Sequence, residues 1–220
     1  MGRAAESFFV CRPHGAHMSI DATPAQRRHL DLGCGAMPRN PYRRPELFGI
    51  DIRRAANAAT GFHFTEANLT LQPIPFPDGH FGSVSAFDFI EHVPRVLPTV
   101  DGRATRFPFV ELMNEVWRVL APGGLFYALT PAFPRAHAFR DPTHVNIITE
   151  ETHHYFVGDP PGARMYGFVG GFRTRRCGWA VPRDSELAEP PNWRQKVRLL
   201  QHTLKGQLSH YLWELEAVKP

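Results

Sequence analysis

The sequence predicts an α/β fold, a doubly wound and mostly parallel sheet, from three stretches. His29 to Pro38, HLDLGCGAMP, is an apolar strand running straight into a glycine-rich turn. Phe48-Gly49-Ile50-Asp51-Ile52 is a second short apolar strand ending in a carboxylate, eighteen residues beyond Gly33. Phe109 to Leu120, FVELMNEVWRVL, carries apolar residues at helical spacing, stops at Pro122-Gly123-Gly124 and leads into an apolar strand, Leu125 to Leu129. Strand, helix, strand is the unit of parallel sheets, because a parallel neighbour is reached only by a crossover.

A chain of 220 residues, 43% hydrophobic, is enough for one domain with a good core and short for two. Residues 27–220 are therefore expected to form a single domain. Residues 1–26 mix Gly, Pro, His and small residues with little period and read as an arm or partial lid, with one short element around Ser7 to Cys11. Cys11, Cys34 and Cys177 are odd in number and have no paired spacing, against a disulfide framework and a zinc ribbon. A reducing cytoplasm is the natural setting. No apolar run approaches the ~20 residues of a membrane span, and the N-terminus, with Glu6 and no long apolar core, does not read as a signal peptide. The formal charge of +4 comes almost entirely from arginine, lysine standing only at Lys196, Lys205 and Lys219. No run is dense enough for a nucleic-acid surface.

Along the chain, Gly33 and Gly35 let the backbone take positive φ and approach a ligand with no Cβ in the way. Pro38, Pro41 and Pro45 then fall where a first crossover helix belongs. Proline inside a helix costs about 3 kcal/mol, so this connection is expected to be short and irregular. The third glycine of the nicotinamide fingerprint is missing as well, which counts against a dehydrogenase. Phe62 to Glu66 forms a third strand, followed by Ala67-Asn68-Leu69. A turn-rich stretch from Ile74 leads to the fourth strand, Ser83 to Phe87. That strand delivers Asp88-Phe89-Ile90-Glu91-His92 to the carboxyl edge of the sheet, where ligands of open α/β sheets bind. Val96 to Phe107 is a surface insertion. Thr130 to His154, with His137, Asp141, His144 and Asn146, is too polar for a core segment and is expected to hold substrate. A helix starts at Thr149-Glu150-Glu151. Gly167 to Ala180 is a strand with basic neighbours, and Ser209 to Val218 an alternating strand that closes the sheet antiparallel.

In its LDLGCG turn and its PFPDGHF approach to the fourth strand, the chain resembles the class I S-adenosylmethionine (SAM) dependent methyltransferases, type 11-like, from about Leu30 to Thr149. The resemblance implies a Rossmann-like seven-stranded sheet with a reversed last strand. It implies SAM bound by Asp31, Gly33, Cys34, Gly35, Asp51, Ile52, Asn68, Leu69 and Phe87. Asp51, ending the second strand, is placed to accept hydrogen bonds from ribose hydroxyls. In the resembled family an acid stands near Asn68 and takes a hydrogen bond from the adenine amino group. Asn68 keeps an acceptor oxygen without the charge.

Methyl transfer from a sulfonium is an in-line displacement, so positioning dominates. A hydroxyl acceptor must also lose a proton, to a base or with the help of a metal. His144, His92 and Asp141 are the candidate catalytic groups. If Asp88 to His92 opens a helix, Asp88, Glu91 and His92 stand at i, i+3 and i+4 on one face. With His144 they form an oxygen and nitrogen set suited to a divalent ion such as Mg²⁺. The wording resembles E-x-x-E-H with a later histidine, as in the ubiquinone-biosynthesis O-methyltransferases and the small-RNA 2′-O-methyltransferases, with Asp88 in place of the first Glu. Against this stand plainer roles: a Glu-His pair that caps or packs a helix, Phe87 and Phe89 as packing, Cys34 as a small buried residue. His153 and His154 read as a half-exposed pair, and Arg173, Arg175 and Arg176 as a solvated strand edge. No Asp/Asn-Pro-Pro-Tyr/Phe and no Pro-Cys follows the fourth strand, against adenine N-methylation and cytosine C5 chemistry. The expected function is methylation of an oxygen or nitrogen of a small molecule. The alternatives are a non-catalytic SAM-binding regulator or partner, and a metal-assisted RNA ribose 2′-O-methyltransferase.

Overall fold

The computed structural model describes residues 23–219, so the element expected around Ser7 to Cys11 lies outside the described residues. The first described element is a single helical turn, α1 (Pro24–Arg27), closed by a Thr23 capping box. Then follow β1 (Arg28–Leu32), β2 (Glu46–Asp51), β3 (His63–Glu66) and β4 (Phe81–Phe87). A small hairpin, β5 (Leu97–Pro98) with β6 (Thr105–Arg106), precedes α2 (Pro108–Val119) and β7 (Leu120–Pro131). The chain ends with α3 (His137–Arg140), β8 (Phe172–Ala180), α4 (Trp193–Leu204) and β9 (His210–Ala217).

Seven strands make one sheet in the order β3-β2-β1-β4-β7-β9-β8. The strands from β1 to β4 and β7 pair in parallel, while β9 runs antiparallel to both β7 and β8. This is the mostly parallel sheet with a reversed last strand that the sequence predicts.

Alternation on β1 explains its two faces. Leu30 and Leu32 join a core with Ile50, Val84, Phe126 and the buried stripe of α2, Phe109, Leu112, Met113, Val116 and Val119. These helix residues recur at three and four, one face of a helix, and truncating a wholly buried one such as Met113 to Ala costs about 2–5 kcal/mol. On the opposite face Phe87, Tyr127, Leu129 and Leu212 are covered by loop, and the Tyr127 hydroxyl donates to Ser185 O at 2.8 Å.

Several boundaries differ from the sequence reading. The proline-bearing connection after β1 is irregular, as expected, and so are residues 52–62 and 67–80, leaving α2 as the one long helix in the crossovers from β1 to β7. β4 begins two residues early, at Phe81. β7 starts directly where α2 ends, absorbing Pro122-Gly123-Gly124 as an irregular lead-in. The insertion holds the β5-β6 hairpin. The helix expected from Thr149 is a 3-10 segment, Thr152–Phe156, and β8 starts only at Phe172 because Gly167 turns the chain at φ 89°.

Candidate functional site

The parallel strands end along one edge, and two clusters face it. The first is the turn after β1. Gly33 and Gly35 sit at φ 68° and 55°, the left-handed region that side chains resist. A Cβ on Gly33 would lie 2.6 Å from the Phe89 ring, whereas one on Gly35 would meet nothing within 4 Å among the described residues, leaving that side of the backbone open to a ligand. The turn is pinned to β2: the Gly33 N–H donates to Ile50 O at 2.9 Å, and the Gly35 and Ile52 N–H groups donate to the two Asp51 oxygens at 2.9 and 2.7 Å. Each carboxylate oxygen keeps one further acceptor position, which fits a nucleoside ribose. Asn68 closes an Asx turn, its Oδ1 accepting the Thr70 N–H at 3.1 Å, beside the buried Leu69.

Three residues read as cofactor contacts turn inward. Asp31 is fully buried; Ser85 Oγ donates to its Oδ1 at 2.5 Å and the Arg39 N–H to its Oδ2 at 2.9 Å. Burial pushes its carboxyl up to about 7. Ser85 in turn accepts from His29 Nε2 at 2.9 Å, and His29 Nδ1 meets Ser83 at 2.8 Å, so the imidazole stays neutral, its pKa driven down to about 3 by burial. Asp31 thus anchors the loop from below. The Cys34 side chain is buried against Gly49, and burial raises its thiol to about 12, far from nucleophilic. Phe87 is 4% exposed, with its ring beside Tyr127 and under the Arg39 guanidinium.

The second cluster follows β4 and β7. Glu91, His92 and His144 bring ligand atoms within 4.8 Å of one another. The expected helix at Asp88 does not form. Asp88 takes φ 49°, and only Ile90–His92 make a 3-10 turn, because the chain bends sharply over Gly33 through Phe89. Asp88 therefore leaves the set and binds His210 Nε2 at 3.0 Å. Asp141 also stands outside: its Oδ1 accepts the Thr143 hydroxyl at 2.6 Å and the Thr143 N–H at 2.8 Å, bonds that hold its carboxyl below the usual range. Thr143 Oγ1 then accepts from His92 Nδ1 at 2.9 Å, so Asp141 reaches His92 only through Thr143.

Glu91 is 1% exposed, and burial pushes its carboxyl up to about 7. Thr130 Oγ1 donates to its Oε2 at 2.8 Å, while Oε1 has no hydrogen-bond partner among the described residues and lies 4.0 Å from His144 Nε2. His144 Nδ1 donates to Ala138 O at 3.3 Å, which leaves Nε2 as the lone-pair nitrogen. The loops are locked together by buried Asn146, whose N–H and Nδ2 donate to the carbonyls of Glu91 and Ile90 at 2.9 and 3.0 Å. Arg95 holds Asn146 Oδ1 at 2.6 Å. Sequence reasoning missed Thr130, Thr143 and the locking role of Asn146, since no spacing marks a hydroxyl or amide that acts across two loops.

Arg95 and Ile147 also border a cleft of about 560 Å³, lined largely by Phe107, Phe109, Val110, Tyr155, Phe156 and Tyr166. The first turn of α2 forms one wall, and a crossover helix starts at the same edge where the strands end. Elsewhere, Arg173 and Arg175 pair with Glu216, and Arg176 with Glu214, so these arginines brace the β8-β9 ladder. His153 is buried, with only His154 exposed.

Residues 30–128 match the methyltransferase domain family. The chain is 23% identical to a protein named 24-methylenesterol C-methyltransferase 3 of Arabidopsis thaliana, over 82% of this chain and 49% of that one. It is 26% identical to 24-methylenesterol C-methyltransferase 2 of Oryza sativa subsp. japonica, over 78% and 46%. The chain spans about half the length of these curated relatives. A SAM-dependent methyltransferase from Archaeoglobus fulgidus has the same fold, with a TM-score of 0.54 and 16% identity over 88% of this chain and 87% of that one. Residues 30–128 are thus similar to a methyltransferase domain, and the fold is that of a SAM-dependent methyltransferase.

Proposed function

We propose that this protein transfers the methyl group of SAM to an oxygen, or a nitrogen, of a small acceptor with an apolar body, with Glu91 and His144 handling the acceptor's proton. The observation that carries this reading is Glu91 Oε1, a buried carboxylate oxygen with no partner among the described residues, at the edge where the cofactor turn opens. A polar atom in that state is costly unless a ligand meets it. Its carboxyl, pushed up to about 7, exchanges a proton near neutral pH, as a general base must. Thr130 fixes one oxygen and leaves the other to face the acceptor. Gly35 and Asp51 are the groups that would seat the nucleoside of SAM, and the loop lock through Asn146 keeps the base in register with it.

Glu91, His92 and His144 together also fit a divalent cation. Their donors are one carboxylate oxygen and two imidazole nitrogens, and both Nδ1 atoms are engaged by Thr143 and Ala138, which leaves Nε2 as the lone-pair nitrogen of each ring. An ion there would lower the pKa of an acceptor hydroxyl. The aromatic cleft favours an apolar small molecule over a ribose-phosphate strand. An apolar acceptor is also in keeping with the relatives, whose names state a sterol.

Calorimetric titration with SAM, S-adenosylhomocysteine and NAD, followed by labelled methyl transfer to apolar alcohols, phenols, amines and sterols, tests the reading. Binding of the two adenosyl ligands only, and label on oxygen or nitrogen, are expected. Absence of SAM binding would bring forward the non-catalytic partner, and label on carbon would remove the heteroatom acceptor. A transfer rate unchanged by chelator would leave the proton to Glu91 and His144 alone.

A further inference from the structure

Helix α4 is built the wrong way round for a helix that only covers a sheet. Its sequence, WRQKVRLLQHTL, holds Trp193, Val197, Leu200 and Leu204 at successive intervals of four, three and four, a single stripe along the axis. Amphipathic helices of a globule normally turn such a stripe inward. Here the four side chains are 69%, 47%, 58% and 78% exposed, and no residue of α4 is fully buried. The sheet side is taken instead by Gln195 and Leu199, which face a crevice over Arg176 to Val181, and by Arg198, which pairs with Asp184.

We propose that α4 is an interfacial helix that lays this stripe into an anionic phospholipid surface. Charge selects that occupant. The helix contains no acidic residue, while Arg194, Lys196 and, just beyond it, Lys205 flank the stripe. An apolar stripe with a tryptophan, bordered by Lys and Arg, is the pattern that lies in a headgroup layer, the cations meeting lipid phosphates and the indole the interface. A neighbouring segment also exposes aromatic side chains. The Arg135 side chain donates to Gly206 O at 3.1 Å, tying the end of α4 to the segment that carries Phe133 and Phe139, which are 50% and 52% exposed. No helix among the described residues is long and apolar enough to cross a membrane, so contact through α4 would be peripheral. The inference is independent of the methyl-transfer reading, and its test needs no turnover.

The test is flotation of the full chain with phosphatidylcholine vesicles and with vesicles also containing phosphatidylglycerol. Recovery with the anionic vesicles should exceed that with neutral ones by about tenfold and fall with added salt. Leu200→Asp with Leu204→Asp should abolish recovery at unchanged circular dichroism, since both residues are exposed. Lys196→Glu should lower it by about fivefold. Brominated phosphatidylglycerol should quench a tryptophan emission that Trp193→Phe removes. Equal recovery with neutral and anionic vesicles, or recovery of the double aspartate variant like the parent, would overturn the proposal. So would a dimer by light scattering that Leu200→Asp dissolves with no vesicle binding, which would give the stripe to a second copy of the chain.

Discussion

Asp31 and Glu91 are both buried carboxylates near the ligand edge, and burial pushes both up to about 7, but they are satisfied in opposite ways. Asp31 has a donor on each oxygen, and those donors come from the neighbouring strand and from the loop above it. Glu91 has Thr130 on one oxygen and, among the described residues, no hydrogen-bond partner on the other. A shared pKa therefore does not mean a shared role. The first group is a strut inside the scaffold, and the second is satisfied on one side only, the ground on which it is proposed above as the proton acceptor.

The sharpest break between them is in turnover. Glu91→Gln keeps the shape and removes the proposed base, so methyl transfer should fall by about 10²–10⁴-fold while SAM affinity holds. Single-turnover kinetics beside calorimetry reads both, and undiminished transfer would return Glu91 to a structural role. Asp31→Ala should do the reverse: it strands the Ser85 hydroxyl and the Arg39 N–H and should cost about 2–4 kcal/mol in urea unfolding.

A pH series sharpens the comparison further. Asp31, raised in the folded state, contributes stability that is full below about 3.8 and lost as pH rises through about 7. His29, depressed in the folded state, contributes stability that is full above 6.5 and lost as pH falls through about 3. Between those limits the unfolded chain holds its proton on the histidine and the folded chain on the aspartate, one each, so the two slopes cancel. Asp31→Asn should uncover the histidine alone, and unfolding free energy should then rise by about 1–3 kcal/mol from pH 4 to 6.5. A flat profile in that variant would separate His29 from the network. The smallest effect is expected at Thr143→Val, which cuts the link from Asp141 to His92 and should slow transfer by about tenfold or less with no change in SAM affinity.

The local parts of this molecule were legible in the residues. Gly33 and Gly35 mark a turn that needs positive φ, the prolines after them forbid a helix, and the stripe of α2 marks a buried face. Such signals work because each depends on a backbone preference or a periodicity confined to one segment. Candidate chemistry was legible only as a set of residue types. The sequence put Asp88, Glu91, His92 and His144 together by assuming a helix, and the bend over Gly33 dismissed Asp88 while keeping the other three.

What the sequence alone determined is the order of strands and turns and the edge to which the polar residues are delivered. Tertiary structure decided which of two similar acids is sealed and which is left open. That outcome depends on Ser85, Thr130, Thr143 and Asn146, which lie 39 to 56 residues from the groups they hold. It also decided that the apolar stripe of α4 faces outward, since periodicity identifies a face without saying what covers it. Hydrogen bonding and burial are properties of neighbours in space, and a chain read in order names its neighbours only along itself.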